Sequence, residues 1–336
     1  MNTPVIPERG PVVCIGETMA ALAPDPVAPL DDAELLRVDI AGAESNVAVY
    51  LADHGVPARW VSALGDDPFG RRVRERIAAF GVDVSGVRTD PARPTGLLIK
   101  NPGADGTRVH YYRRGSAASA LTPEVLRAEA VRGAGLVHLT GITPALSPSC
   151  RALVEEALSP GRPHPVSFDV NHRPALWPAG PAAEPAAEVL LSLAGRADIV
   201  FVGLDEAQEL WGGAVTDAAS VRRLLPGPGT LVVKDGSRAS TAFVGPQPYT
   251  VPALRVRVVE PVGAGDAFAA GFLAGLRESG DPVRALRLGH LTAASALGVA
   301  ADHGPLPPPA RIAELLAADG RTWSAATIGE PAPARG

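Results

Sequence analysis

Val262-Gly263-Ala264-Gly265-Asp266-Ala267-Phe268-Ala269-Ala270-Gly271-Phe272 runs a tight Gly-Ala-Gly turn straight into an apolar helical stretch. The first backbone N–H groups of a helix have no intrahelical partner, and the helix dipole adds positive potential there, so this turn predicts an anion hole. Asp266 stands at its lip, where an ionised carboxylate can accept a proton from a hydroxyl held in line with a phosphoryl group. Aspartate at a helix start also serves as a cap, and the turn alone does not separate the two roles. No G-x-x-x-x-G-K-[ST] P-loop occurs, and Gly227-Pro228-Gly229 lacks the third glycine of a dinucleotide fingerprint. Any nucleotide is therefore bound by another architecture.

Outward from this turn, short apolar runs alternate with longer amphipathic or Ala-rich segments. Val12 to Gly16, Arg59 to Leu64, Leu136 to Leu139, Val166 to Asp169, Ile199 to Val202 and Leu231 to Lys234 read as buried strands. Asn46 to His54, Phe69 to Phe80, Pro123 to Val131, Ser147 to Leu158 and Ala218 to Leu225 read as helices. This alternation predicts an α/β fold, a mostly parallel sheet with helices on both faces. Pro24 to Ile40 is irregular, and Thr95 to Arg113 reads as a hairpin around Pro102-Gly103-Ala104-Asp105-Gly106. Both are expected in a small accessory sheet. Beyond Glu260 the chain turns helical, over Gly263 to Arg277, Pro282 to Ala300 and Pro309 to Ala318, and residues 1–11 and 324–336 are expected as loose tails.

The 336 residues carry 31 basic and 36 acidic side chains, a net charge of −5, with no basic run to track a phosphate backbone, which disfavours nucleic acid and anionic membrane as partners. Gly (36) and Pro (34) show no three-residue period and are spread through apolar segments, against a collagen-like or disordered chain. Cys14 and Cys150 lie far apart and outside any Cys/His cluster, so neither a disulfide framework nor a structural zinc is expected. The opening MNTPVIPERG has no apolar core of a signal peptide, and the cytoplasm is the expected compartment. Lys100 and Lys234 are the only lysines, a skew attributable to codon bias that leaves anion binding to arginines and backbone amides.

Ala41-Gly42-Ala43-Glu44-Ser45-Asn46-Val47-Ala48 followed by Leu64-Gly65-Asp66-Asp67-Pro68-Phe69-Gly70 resembles the N-terminal signature of ribokinase-like (PfkB) carbohydrate kinases. Gly263-Ala264-Gly265-Asp266-Ala267-Phe268 resembles their C-terminal signature, and the likeness runs from about Val12 to Ala318. It implies one kinase domain over 12–318 with a Rossmann-like sheet and a small β lid from segments near 18–41 and 94–116. It also implies ATP with Mg²⁺, Asp266 as the base, and Gly263, Ala264 and Gly265 stabilising the transferred phosphoryl group. Gly42 and Asn46 would contact substrate, and Asn171, Lys234, Gly236, Ser237 and Arg238 would contact nucleotide. The family also implies a homo-oligomer formed through the lid.

Tyr111-Tyr112-Arg113-Arg114-Gly115-Ser116 is similar to the lid of the 2-keto-3-deoxygluconate kinases of this family, and Asp169-Val170-Asn171-His172-Arg173-Pro174-Ala175-Leu176-Trp177 resembles their D-x-N-x-R-x-x-L-W stretch. Tyr111, Tyr112, Arg113, Arg173 and Asp302 are then expected at the substrate, a small sugar acid. Two arginines near one pocket suit a carboxylate, which a neutral hexose does not need. Fructokinase is the alternative within the family, and a non-catalytic sugar or nucleotide sensor the alternative outside it. Two departures matter. Glu260-Pro261 replaces the usual Asp-Thr or Asp-Pro, so a monovalent-cation site is not carried over. Gly203-Leu204-Asp205-Glu206 lacks the Asn of the N-x-x-E metal motif, leaving only Glu206 as the expected Mg²⁺ residue.

Overall fold

A computed structural model describes residues 9–103, 106–177 and 184–328. Among these, nine strands form one sheet, in the order Gln247–Pro252, Ala239–Val244, Thr230–Asp235, Ile199–Gly203, Val166–Asp169, Leu136–Thr140, Val12–Ile15, Ala58–Gly65 and Val87–Asp90. Pairing is parallel from Thr230–Asp235 through to Val87–Asp90, and the other two strands add antiparallel at one edge. The apolar runs are continuous because both faces are covered. Val12 and Cys14 pack on one face with the helices Ala43–Asp53, Ala264–Ser279 and Pro282–Leu297, whereas Val13 and Ile15 pack on the other with Pro148–Ala157 and Ala186–Ala194. Neither cysteine is bridged.

A four-stranded sheet, in the order Leu36–Ala41, Met19–Pro24, Leu97–Gly103 and Gly106–Tyr112, forms the lid. Its apolar face is small: Met19, Ala21, Ala41 and Leu98, with Val109 packed against them. Ala104 and Asp105, at the tip of the expected hairpin turn, lie outside the described residues.

Four stretches differ from the sequence reading. Pro123 to Val131 yields only a 3₁₀ turn, Pro123–Arg127, because Val125 is its one buried side chain and no apolar stripe sustains a longer helix. The helices Ala186–Ala194 and Leu204–Trp211 went unread. The expected tail from residue 324 begins inside a helix, Gly320–Ala325, which buries Trp323 with its Nε1 donating to the Pro252 carbonyl at 2.8 Å, and within the tail Thr327–Ile328 pairs with Arg255–Val256. No helix of the described residues is long and apolar enough to cross a membrane.

Candidate active site

Strands build outward from Val12–Ile15 in one direction and then resume on its other side at Leu136–Thr140, and open parallel sheets bind ligands outside the carboxyl ends of their strands at such a reversal. A cleft of about 490 Å³ lies there. Asp169 and Gly203 end their strands and Lys234 is next to last in its own, so all three reach the cleft from the sheet. Ala41, Leu98, Lys100, Val109 and Tyr111 face it from the lid.

Asp266 sits in the first turn of Ala264–Ser279 and is buried. Asn46 Nδ2 donates to its Oδ2 at 2.9 Å and Asn171 Nδ2 to its Oδ1 at 3.2 Å. Burial pushes the carboxyl up to about 7; the Asn46 amide opposes this, Asp169 adds to it, and Arg173 and Lys234 pull it back. Such a group is ionised above neutrality and is matched to accepting a proton near it. Gly263 caps the helix at φ 83°, a left-handed conformation that costs other residues, and a Cβ there would stand 3.0 Å from the Asp302 carbonyl. The Ala264 amide makes a long 3.4 Å turn bond to the Pro261 carbonyl.

Beneath the turn lies a buried charge cluster. Lys234 Nζ is 2.9 Å from Asp169 Oδ2, and a Cβ on Gly265 would touch that ammonium at 3.4 Å. Burial works against the Lys234 charge, but Asp169 and Glu206 outweigh it and raise its pKa. A fixed ammonium and a helix N-terminus thus converge on one point, the arrangement a phosphoryl group needs.

The cleft holds Arg173, exposed and donating to the His172 carbonyl at 3.0 Å, together with Tyr111 and the buried Asp302. Asn171, expected at the nucleotide, lines the cleft and holds Asp266 from one side, and Asn46 does so from the other. Five of the expected sites have protein partners or positions of their own here. Arg113 pairs with the protein: its Nε donates to Glu17 Oε2 at 2.6 Å, and the pair is buried where the lid strands leave the body. Its guanidinium still lies 5.8 Å from the Tyr111 ring centroid, on the side strand alternation predicts. Tyr112 alternates away and is 63% exposed. Gly42 packs against the lid hinge, where a Cβ would come within 2.5 Å of the Glu17 carbonyl and Thr18 Oγ1. Gly236, Ser237 and Arg238 form the turn after Thr230–Asp235, outside the cleft, with Arg238 closing onto Asp235. Glu206 spends both carboxylate oxygens on backbone amides, those of His172 and Gly203, as a helix cap.

That last point bears on magnesium. Among the described residues no group of three or more His, Cys, Asp or Glu side chains could cage a metal, but magnesium carried on ATP phosphates needs only one or two carboxylates, and Asp205 and Glu209 also line the cleft. Sequence reasoning missed Lys100, which pairs with Asp302 across the cleft, and its scarcity was the available signal. It also missed Asp169 as the counter-charge of Lys234.

Comparison with known proteins agrees with this geometry. The pattern of the pfkB family carbohydrate kinases matches residues 10–307. A 2-dehydro-3-deoxygluconokinase of Thermoproteus tenax is 36% identical over 310 residues, covering 91% of this chain and 94% of its own. One from Bacillus subtilis is 33% identical over 311 residues, covering 91% and 95%. The crystal structure of a PfkB protein from Polaromonas sp. JS666 superposes with a TM-score of 0.75 at 32% identity, over 90% of this chain and 99% of that one. The chain belongs to the pfkB family of carbohydrate kinases and is an ATP-dependent sugar kinase with the ribokinase fold.

Proposed function

We propose that the chain phosphorylates the terminal primary hydroxyl of 2-keto-3-deoxygluconate, with Asp266 as the base. The observation that carries this reading is the Asp266 carboxyl itself, held between two amides beside the glycine turn with its pKa near 7. The substrate hydroxyl gives its proton to Asp266 as its oxygen bonds to the γ-phosphorus of ATP, and the bond from that phosphorus to the β,γ-bridging oxygen breaks to release ADP. Lys234 and the Gly263–Gly265 turn, which lines the cleft, carry the charge on the moving group, and Arg173 reaches the same space. Asp302 takes sugar hydroxyls. Magnesium accompanies ATP on the phosphates, and no step depends on a protein cage for it.

Two similar proteins named as 2-dehydro-3-deoxygluconokinases support the acid substrate. Withdrawal of Arg113 into the hinge favours a second reading, a neutral ketose such as fructose, because it removes one of two cations expected at the acid end. An ADP-release screen over 2-keto-3-deoxygluconate, its galacto epimer, fructose, ribose and adenosine decides between them. The acid is expected to give the highest kcat/KM, and preference for fructose would establish the second reading.

A further inference from the structure

Lys100 brings the lid's one formal charge among its described cleft-lining residues. It lies on Leu97–Gly103 opposite Val109, and its neighbours on that face, Leu98, Val109 and Tyr111, are uncharged. Its Nζ is 3.3 Å from Asp302 Oδ1, with the two side chains only 12% and 8% exposed. That is long for a charge-assisted bond, for which about 2.7–2.9 Å is usual, and an ammonium has three donors to place. Two charges withdrawn from water need more than one loose contact to compensate them. Asp302 reflects the shortfall, since burial raises its carboxyl even with Lys100 and Asn46 pulling the other way.

Three further observations point the same way. In an arginine-rich chain both lysines line this cleft, Lys234 at the phosphoryl end and Lys100 at the lid end. An ammonium is a compact point charge that fits between a carboxylate and a small anion, where a guanidinium fork needs more room. Asn46 donates to Asp266 at 2.9 Å and also lowers the Asp302 carboxyl, and Asp266, Asp302 and Lys100 all line one cleft, which sets the Lys100 ammonium and the base in a single ligand space. We propose that Lys100 reads the acid end of the substrate, its ammonium pairing with the substrate carboxylate while Asp302 orients it. This inference rests on the keto-acid reading above.

Lys100→Met keeps the side-chain length and removes the charge. Assayed by ADP release on 2-keto-3-deoxygluconate and fructose, it is expected to lower the acid-to-neutral ratio of kcat/KM at least tenfold, mainly through the KM for the acid, with Lys100→Arg recovering part of the loss. Where neutral turnover is too slow to measure, a rise in the KM for the acid without a matching rise in the KM for ATP is the same signature. If the wild type prefers the acid but the variant's ratio and KM values do not move, or acid and neutral sugar lose equally, Lys100 only clamps the lid and the proposal fails while the keto-acid reading stands. A wild type that turns over fructose and ignores the acid overturns both. Lys100→Gln carries the same comparison should the Met variant not fold.

Discussion

At the residue scale the proposed chemistry centres on one carboxylate whose environment disfavours its charge. Asp266→Asn is expected to lower kcat by roughly 10²–10⁴ while the dissociation constant for ATP changes little, because the amide keeps the shape but takes no proton. Steady-state rates and ATP titration check this, and near-normal turnover would remove Asp266 from the role of base. With its carboxyl near 7, kcat/KM is expected to rise with pH up to about that value and then level, a limb the Asn variant lacks. That Asp266, Arg173 and Asp302 would share one cleft was legible because local motifs carry them. Lys100 was not, since an isolated Lys on an apolar strand carries no local sign of the carboxylate that meets it two hundred residues later.

Elements set where these side chains stand. The left-handed turn at Gly263 starts the helix Ala264–Ser279, so Gly263→Ala is expected to cost about 1–2 kcal/mol in chemical denaturation and to depress kcat as well, its Cβ pressing on the Asp302 carbonyl. The lid hinge depends on the Arg113–Glu17 pair, to which Ser116 adds a hydrogen bond. Arg113→Met leaves a buried carboxylate without its cation, a loss of about 3–5 kcal/mol. Its melting temperature is expected to fall, and kcat/KM to fall alike on acid and neutral sugars; a selective loss on the acid would return Arg113 to the substrate. The strand period placed Arg113 on the side of Tyr111 correctly. What it met there was invisible, because Glu17 comes from a strand exit far back in the chain, and a guanidinium satisfied by a buried neighbour is not offered to ligand.

For the whole molecule, the same Asp266 links function to stability. Folding raises its pKa from an ordinary value of about 3.9 to about 7, so the folded state holds a proton that the unfolded chain has released. Its contribution is therefore full at acid pH and is lost as pH rises through that window. Asp266→Asn is expected to gain melting temperature relative to wild type from pH 5 to pH 8, and parallel melting curves would refute the linkage. Val27, Leu35, Leu36 and Tyr112 are exposed apolar side chains in the lid region, where the family resemblance implies a homo-oligomer. Leu36→Glu with Tyr112→Glu is expected to lower the mass measured by light scattering to that of one chain, and an already monomeric wild type would end that idea. The sequence by itself determined the alternating α/β layers, the glycine turn and its aspartate, and the two irregular segments that become the lid, because apolar period, turn chemistry and capping act over a few residues. Only the tertiary structure decided where each charge finds its partner. Arg113 meets Glu17 at the hinge and Glu206 two backbone amides, whereas Lys234 and Lys100 meet Asp169 and Asp302 while still lining the cleft, since a buried charge takes whichever partner the fold brings within reach, and that choice is not local.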